Sequence, residues 1–587
     1  MTKKESAVDV LIIGAGPAGL IAAMWMAKCG ITTRVVEQRP YQLRVGGADG
    51  IHPRSMEMFE SFGIDQEITQ VWEPITGWAL WCRNAEGTLA RSDRMDNPTP
   101  VRCRWGPGLL QQGIIERIIK EHISEQPSVR IEHETVSASL VIMEDALDKP
   151  DSHPCVITLR HDDSAGGSEE LVRAKYVIGA DGARSWTRKQ LGFKMEGTRT
   201  RSVWAVTDLV VVSDFPDIRL CTTINSYGEG GLFFLRRERG LTRFYVQLNR
   251  ADEVEFPAAS ITQELIIERL QRLLRPYTLT VKRCEWWSSY TVAHYLSDGM
   301  TKHDRVFLVG DAVHNHSPLV GLGMNISMQD SYNLGWKLAG VLKKELNPSI
   351  LSTYETERRP VAAELIETDR FHLQLFDTAT VTGSEPAWML EREEALQPSM
   401  QGFAVHYQDP LLTVATEKEC RPDAVIPGKR FPQLNVSNHA TGKVYSIQSL
   451  LKSKGKFHVI VFAGDLSQPL ELNRFNTCGT ALQQIEEQIL PASMGKFNVI
   501  AVHRARKTAI ELASLADIFF PVDETTGRDY NRVYCDMETS YEEAGIGEQG
   551  AVVLVRPDQY VGWCGEVEDV QGLTGYLQPI FEAKKHA

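Results

Sequence analysis

Apolar positions follow two rhythms along this chain. In the first, Val8, Val10, Leu11, Ile12 and Ile13 form a short run that breaks on Gly14, Gly16 and Gly19; an alanine-rich segment of helical length follows, and a second apolar run ends at Glu37. The pattern predicts strand, glycine turn, helix, strand. Residues 38–54 are rich in Gly and Arg and read as a loop, then Ser55 to Phe62 shows helical spacing ended by Gly63. LLQQGIIERIIKEHI sets Ile114, Ile115, Ile118, Ile119 and Ile123 on one side of a helix that opens near Gln111 and Gln112. Twice more an apolar run delivers small and acidic residues to a helix start. One is AKYVIGADGARS, with Gly179, Asp181 and Gly182. The other is Val306 to Val309, which ends on Gly310-Asp311 before a loop with Pro318, Gly321 and Gly323. The helix after that loop carries Met328, Tyr332, Gly335, Leu338 and Leu342 on one face.

The second rhythm fills 200–295, where WAVTDLVVV, GGLFFLRR, TRFYVQL and EWWSSYTVAHYL are β-branched or aromatic runs separated by turns. They predict an antiparallel sheet set into the first domain. Most such aromatics fill a sheet core, and some can wall an apolar pocket. DDSAGGSEE reads as a surface loop, and a polar helical segment lies near 380–400. Composition then shifts at RPDAVIPGKRFP to a linker. The tail, with KFHVIVFAG, a helix over 472–490, KFNVIAVH and AVVLVRPDQYVGW, reads as a small α/β domain. The whole is an α/β fold: a Rossmann-like domain over 1–71, 101–199 and 296–375, a mostly antiparallel sheet domain over 72–100 and 200–295, a helical segment and linker over 376–425, and a tail domain over 426–587.

A length of 587 residues with 43% hydrophobic and 24% charged content suits two or three globular domains. A net charge of -13 argues against nucleic acid as a partner. The N-terminus runs into the first strand without a signal-peptide core, and no apolar stretch approaches a membrane span, so a cytoplasmic protein is expected. Ten cysteines without a CxxC pair imply neither disulfides nor zinc.

In the first motif one glycine makes the turn, the second admits a pyrophosphate and the third packs helix on strand. Glu37, 18 residues after Gly19, is placed for a ribose hydroxyl. Gly545, Gly547 and Gly550 repeat the spacing but lead into a strand, so they read as a loop. Asp49, between glycines, reads locally as a turn residue. Gln111 and Gln112 are a polar helix start or a cofactor contact. His314 and His316 with Asp311 match no strong metal pattern.

Taken together, GAGPAG with Glu37, GADGARS at 179–185 and GDAVHNHSPLVGLGMN at 310–325 resemble the class A flavoprotein aromatic hydroxylases, the para-hydroxybenzoate hydroxylase fold. VGGADG, LLQQGIIERI and LVRPDQYVGW resemble its phenol hydroxylase branch, which carries a C-terminal thioredoxin-like domain. The resemblance implies that Gly14, Gly16, Gly19 and Glu37 hold the ADP half of FAD, and that Asp311 holds the ribityl chain. It implies that Gln112 and the loop of Pro318, Gly321, Gly323, Met324 and Asn325 meet the flavin, and that Asp181 and Gly182 serve FAD and NADPH. Asp49 matches the aspartate beside the substrate hydroxyl, and Tyr290 resembles the tyrosine that shares this role. No basic residue clearly matches the family's active-site arginine; Lys282 and Arg283 lie in the expected region.

The implied activity uses NADPH or NADH as a transient co-substrate, and O₂, to hydroxylate a small phenolic or aromatic compound through a C4a-hydroperoxide of the flavin. Decarboxylative hydroxylation, epoxidation or Baeyer-Villiger oxidation on the same fold, a flavin oxidase or dehydrogenase, and a non-enzymatic flavin protein remain as alternatives. Arg236, Arg237, Arg243, Lys282 and Arg283 are candidate anchors for a substrate carboxylate. Burial against the flavin is expected to raise the Asp49 carboxyl. The tail, lacking CxxC, is expected to pack or dimerise.

Overall fold

The computed structural model describes residues 4–84, 86–96, 103–149, 151–161, 168–249, 260–382, 387–414, 425–491, 493–523, 525, 527–537 and 539–581. Most of the expected loop at 162–170 and the first four residues of the expected linker, 421–424, lie outside them.

Strand Lys4–Ile13 is central to the first sheet because it is apolar on both faces: Val10, Leu11 and Ile12 are fully buried. Thr33–Val36 and Ser168–Gly179 flank it in parallel, with Val129–Glu132 and Val306–Leu308 outside them. Cys155–His161 and Thr135–Ile142 extend the sheet antiparallel. Helix Pro17–Cys29 is buried from Ala18 to Ala27 and packs on helix Gly323–Leu342. A Cβ on Gly335 would fall 2.3 Å from Trp25, so the glycine sets how closely the helices approach.

The second sheet runs in the order His314–Asn315, Leu279–Ser297, Met195–Ser213, Thr242–Asn249, Gly230–Arg236, Cys221–Ser226, Gly77–Arg83, Leu89–Asp96. Its pairs are antiparallel except Cys221–Ser226 with Gly77–Arg83. Side chains alternate along Met195–Ser213. Val203 and Ala205 join a core covered by helix Gln263–Leu273, whereas Trp204 and Val206 face the other way into an aromatic cluster with Tyr245, Trp286, Tyr290 and Leu319. That second face looks toward loops of the first sheet.

The third sheet contains parallel strands His458–Phe462, Asn498–His503 and Val533–Asp536, with helix Pro469–Gln488 between the first two and antiparallel Ala551–Val555 and Val561–Gly565 beyond. It shares a core with the first sheet, where Phe457 meets Trp336 edge to face at 5.7 Å. Fully buried ion pairs also cross this contact: Glu357 pairs with Lys337 at 2.7 Å and with Arg556, and Arg54 bonds to both Glu57 and Gln559. Charges this deep persist only when paired and hydrogen-bonded.

Candidate active site

The glycine turn is built as a cradle. Gly14 has φ +106°, and a Cβ there would lie 2.3 Å from the Ala180 carbonyl oxygen, so the turn packs tightly against the next loop. At Gly16 a Cβ would meet nothing within 4 Å; the position is open at the start of helix Pro17–Cys29, where unpaired backbone N-H groups favour an anion. Glu37 ends the neighbouring strand, buried, and accepts hydrogen bonds from Ala15 N at 2.9 Å and from Arg39 N at 3.0 Å and Nε at 3.1 Å. Burial pushes its carboxyl up, but the bonds from Arg39 and Ala15 outweigh it and hold Glu37 below the usual carboxylate range. Gly182 is likewise open around its Cβ position, and Asp311 and Pro318 are exposed. An open, glycine-lined groove with acids at its ends fits a flavin dinucleotide.

Two of the expected cofactor side chains are engaged elsewhere. Asp181 turns into its own helix start, accepting from Ser185 Oγ at 2.5 Å and from Thr187 N and Oγ1 at 2.8 and 2.9 Å. Its carboxylate shapes the loop, leaving Gly182 at the groove. Gln112 accepts from Ala48 N at 3.0 Å and donates to Glu116 at 2.8 Å, so its amide pins the loop before Asp49. Gln111 holds the same loop through Gly46 O at 3.2 Å.

Asn325 joins the two halves of the site. Fully buried, it donates to Gly50 O and Gly321 O, both at 2.9 Å, and accepts from His52 N at 3.0 Å and Ser55 Oγ at 2.6 Å. All four of its hydrogen-bonding positions are filled. The loop carrying Pro318, Gly321 and Gly323 is thereby locked to the residue after Asp49. Met324, at the start of helix Gly323–Leu342, is buried and packs in the main core.

Asp49, 5% exposed, lies against the aromatic face of the second sheet. Its Oδ2 is 3.2 Å from both Arg237 Nη1 and Arg243 Nη1. Arg243 also holds Asp208 through two 2.7 Å hydrogen bonds and donates to Gly47 O at 2.6 Å, while Arg237 pairs with Glu238 at 2.9 Å. Asp49 is thus buried within an ion-pair cluster. Cys221, pushed up to about 12 by burial and by Asp49, and Tyr245, pushed well up by burial and by Asp49, border it. Tyr290 sits across the strand pair from Trp204, its hydroxyl buried without a hydrogen-bond partner.

Lys282 and Arg283 are exposed, and Arg283 pairs with Glu285 at 2.6 Å; neither reaches the site. Arg236 pairs with Glu73 near the surface. Arg237 and Arg243, two of the candidate carboxylate anchors, are instead paired with Asp49, Asp208 and Glu238; that pairing, and the acids Asp208 and Glu238, were not read from the sequence. One signal was available: Arg243 and Tyr245 are two apart on a strand, hence on one face. His314 is hydrogen-bonded to Asp330 at 3.0 Å and His316 to Ser317 O at 2.6 Å.

Residues 7–369 match the family described as FAD binding domain, and residues 405–585 match the phenol hydroxylase C-terminal dimerisation domain. The chain is 41% identical to an FAD-dependent monooxygenase of Aspergillus hancockii, covering 90% of this chain and 99% of that one. It is 36% identical to a phenol 2-monooxygenase of Aspergillus fumigatus, covering 99% and 97%, and 34% identical to a 3-hydroxybenzoate 4-monooxygenase of Comamonas testosteroni, covering 98% and 95%. Among solved structures, aklavinone-11 hydroxylase with FAD and aklavinone shares the fold at TM-score 0.72 and 23% identity, covering 99% of each chain.

Proposed function

The chain belongs to the family of FAD-dependent monooxygenases that carry a phenol hydroxylase dimerisation domain, and from that premise we propose that it hydroxylates a phenolic ring whose hydroxyl faces Asp49. One observation carries this reading: a buried carboxylate, flanked by two guanidiniums and bordered by Tyr245, is tied through Asn325 to the loop implied to meet the flavin.

NADPH or NADH docks transiently, since a single dinucleotide turn is present in the sequence. When bound, the reduced flavin supplies one oxygen atom of O₂ in a form that electron-rich rings attack. The residues around Asp49 make the ring electron-rich. A carboxyl near pKa ~4 facing a phenol near ~10 leaves proton transfer uphill by roughly 8 kcal/mol. Here the transfer moves negative charge from Asp49 to the phenol oxygen without taking it away from Arg237 and Arg243, so their attraction is largely kept. The Tyr290 hydroxyl is free to donate to the resulting phenolate. Asn325, Gln111 and Gln112 keep the Asp49 loop from drifting, which matters because small displacements of a positioned base cost rate steeply.

Charge narrows the substrate. Arg237 and Arg243 face Asp49, Asp208 and Glu238, two cations against three anions, a net charge of -1 before any substrate enters. Neither guanidinium is left to anchor a carboxylate, so a neutral phenol is favoured over a hydroxybenzoate.

Around this site we read the domains as 1–71, 101–199 and 296–375 for FAD, 72–100 and 200–295 for the substrate, 376–425 as helical segment and linker, and 426–587 as a thioredoxin-like unit that forms a homodimer. Its parallel strands His458–Phe462 and Asn498–His503, with a helix between and an antiparallel hairpin after, support that reading. We place the enzyme in the cytoplasm; among the described residues no helix is long and apolar enough to cross a membrane.

The test is NADPH and O₂ consumption by the purified yellow protein with neutral phenols and hydroxybenzoates, tracing labelled O₂ into product. Uptake of one labelled atom into a neutral phenol is expected. Peroxide formation alone across the panel would return the oxidase reading.

A further inference from the structure

Far from Asp49, the third sheet gathers three side chains that share no sequence motif. His503 ends strand Asn498–His503, Cys535 lies on the adjacent parallel strand Val533–Asp536 directly across from it, and His439 follows strand Asn435–Asn438 on the other side of Cys535. The backbone N-H of His439 donates to Val533 O at 3.0 Å, fixing its ring over the strand ends. His439 Nδ1 is 2.9 Å from His503 Nε2, and Cys535 Sγ is 3.5 Å from His503 Nε2 and 3.8 Å from His439 Nδ1. Three ligand-type atoms on three neighbouring strand ends therefore face one another.

The geometry points to a zinc site with His439, His503 and Cys535 as ligands and water in the fourth position. A tetrahedral zinc about 2.0–2.1 Å from imidazole nitrogen and ~2.3 Å from thiolate needs ligand atoms roughly 3.3–3.6 Å apart. The observed separations straddle that range, so sub-ångström rotations of side chains seat the ion. His503 is fully buried, while Cys535 and His439 are 7% and 9% exposed, which leaves the side of these two as the entry and the place for the water. Two imidazoles with one thiolate suit a borderline-soft divalent ion and exclude magnesium or calcium, which take oxygen ligands.

The surroundings agree. The site lies beyond the carboxyl ends of the parallel strands His458–Phe462, Asn498–His503 and Val533–Asp536, where open α/β sheets bind ligands. In the metal-free protein the 2.9 Å contact places one proton between His439 Nδ1 and His503 Nε2, and binding requires that proton to move to the other nitrogen of its ring. Cys535 ligates as the thiolate, so its proton leaves to solvent on binding. Asp465 lies within electrostatic reach of His503, opposing the positive charge of Lys507, whose Nζ is held by Ser437 Oγ at 3.3 Å and Asn438 O at 3.1 Å. A bound ion would cross-link segments at 439, 503 and 535 and so stabilise the sheet without touching the flavin groove.

The experiment uses the full-length, FAD-loaded protein. After chelator treatment, zinc alone is added, excess is removed, and metal per chain is measured by mass spectrometry beside the melting temperature. About one zinc per chain and a raised melting temperature are expected. Cys535→Ser and His439→Gln should each weaken zinc binding by more than ~100-fold, beyond what outer partners of a metal site contribute. FAD content of each variant reports folding, and the near-surface His439→Gln guards against failure of the buried Cys535→Ser to fold. In the unmodified protein, peptide mapping of alkylation should show Cys535 protected by zinc. Less than a tenth of a zinc per chain at micromolar free zinc, equal zinc in wild type and both variants, or an unprotected Cys535 would each overturn the site.

Discussion

Arg243 stands between two carboxylates, bidentate with Asp208 at 2.7 Å and 3.2 Å from Asp49 through its remaining nitrogen. Asp49 is therefore held by a group that is itself held, which fixes the direction of its free lone pairs. Asp49→Ala should leave FAD bound, because no cofactor residue depends on that carboxylate, and lower hydroxylation by about 10² to 10⁴ fold, as loss of a general base does. Rapid-reaction kinetics of the variant with bound FAD measure it; unchanged turnover would reduce Asp49 to a turn residue.

Tyr290 offers the opposite test, since its hydroxyl is buried and has no partner in the resting protein. An unsatisfied buried hydroxyl costs about 1–3 kcal/mol. Tyr290→Phe should therefore keep or raise the melting temperature while lowering kcat for the phenol. A fall in both would show that the hydroxyl serves the fold and not the substrate.

The glycine turn separates cofactor binding from folding within three residues. At Gly16 an added side chain meets open space that the dinucleotide is to fill, whereas at Gly14 it meets the Ala180 carbonyl at 2.3 Å with φ at +106°. Gly16→Val should leave the apo-protein's melting temperature nearly unchanged and weaken FAD by about ten- to a hundredfold, the equivalent of 1–3 kcal/mol of overpacking. Gly14→Ala should destabilise the apo-protein itself by at least ~2 kcal/mol. Fluorescence titration of FAD with thermal melts of both apo-variants distinguishes the two.

What the sequence made legible was local. The strand-turn-helix at Val8 to Glu37, the isoleucine face of helix Gln112–Ser124 and the runs of the second sheet are patterns within one or two elements, and each appears where periodicity puts it. The partners of Asp49 were not legible, because Arg237 and Arg243 reach it across 188 and 194 residues of chain through strand pairing that no local pattern encodes. Lys282 and Arg283 failed for a related reason. Their strand continues into the site, but at these two positions the side chains are exposed to solvent, with Arg283 paired to Glu285. Gln112 and Asp181 are engaged by neighbouring groups, Ala48 N and Glu116 for the first and Ser185 and Thr187 for the second, which depends on rotamers and not on spacing.

Glu357 links helix Thr353–Thr382 to the third sheet and gives the fold an acid limit. It is buried with Arg556 and Lys337, and although burial pushes its carboxyl up, Arg556 and then Lys337 bring it down to about 2. A carboxyl depressed in the folded state contributes stability above its unfolded pKa of ~4.3 that is lost as pH falls through the folded value. For this one group the stability of wild type should decline below about pH 4.3 by up to ~1.4 kcal/mol per pH unit, continuing toward pH 2. Glu357→Gln leaves Arg556 with Asp558 alone and Lys337 with Asn333, so it should cost about 3–5 kcal/mol at pH 7. The gap between wild type and Glu357→Gln should then narrow as pH drops below 4.3, because wild type loses what the variant already lacks. Urea unfolding of both proteins from pH 7 to pH 3.5 reads this directly, and a gap that stays constant or widens on acidification would mean that the ion pairs around Glu357 do not set the acid limit.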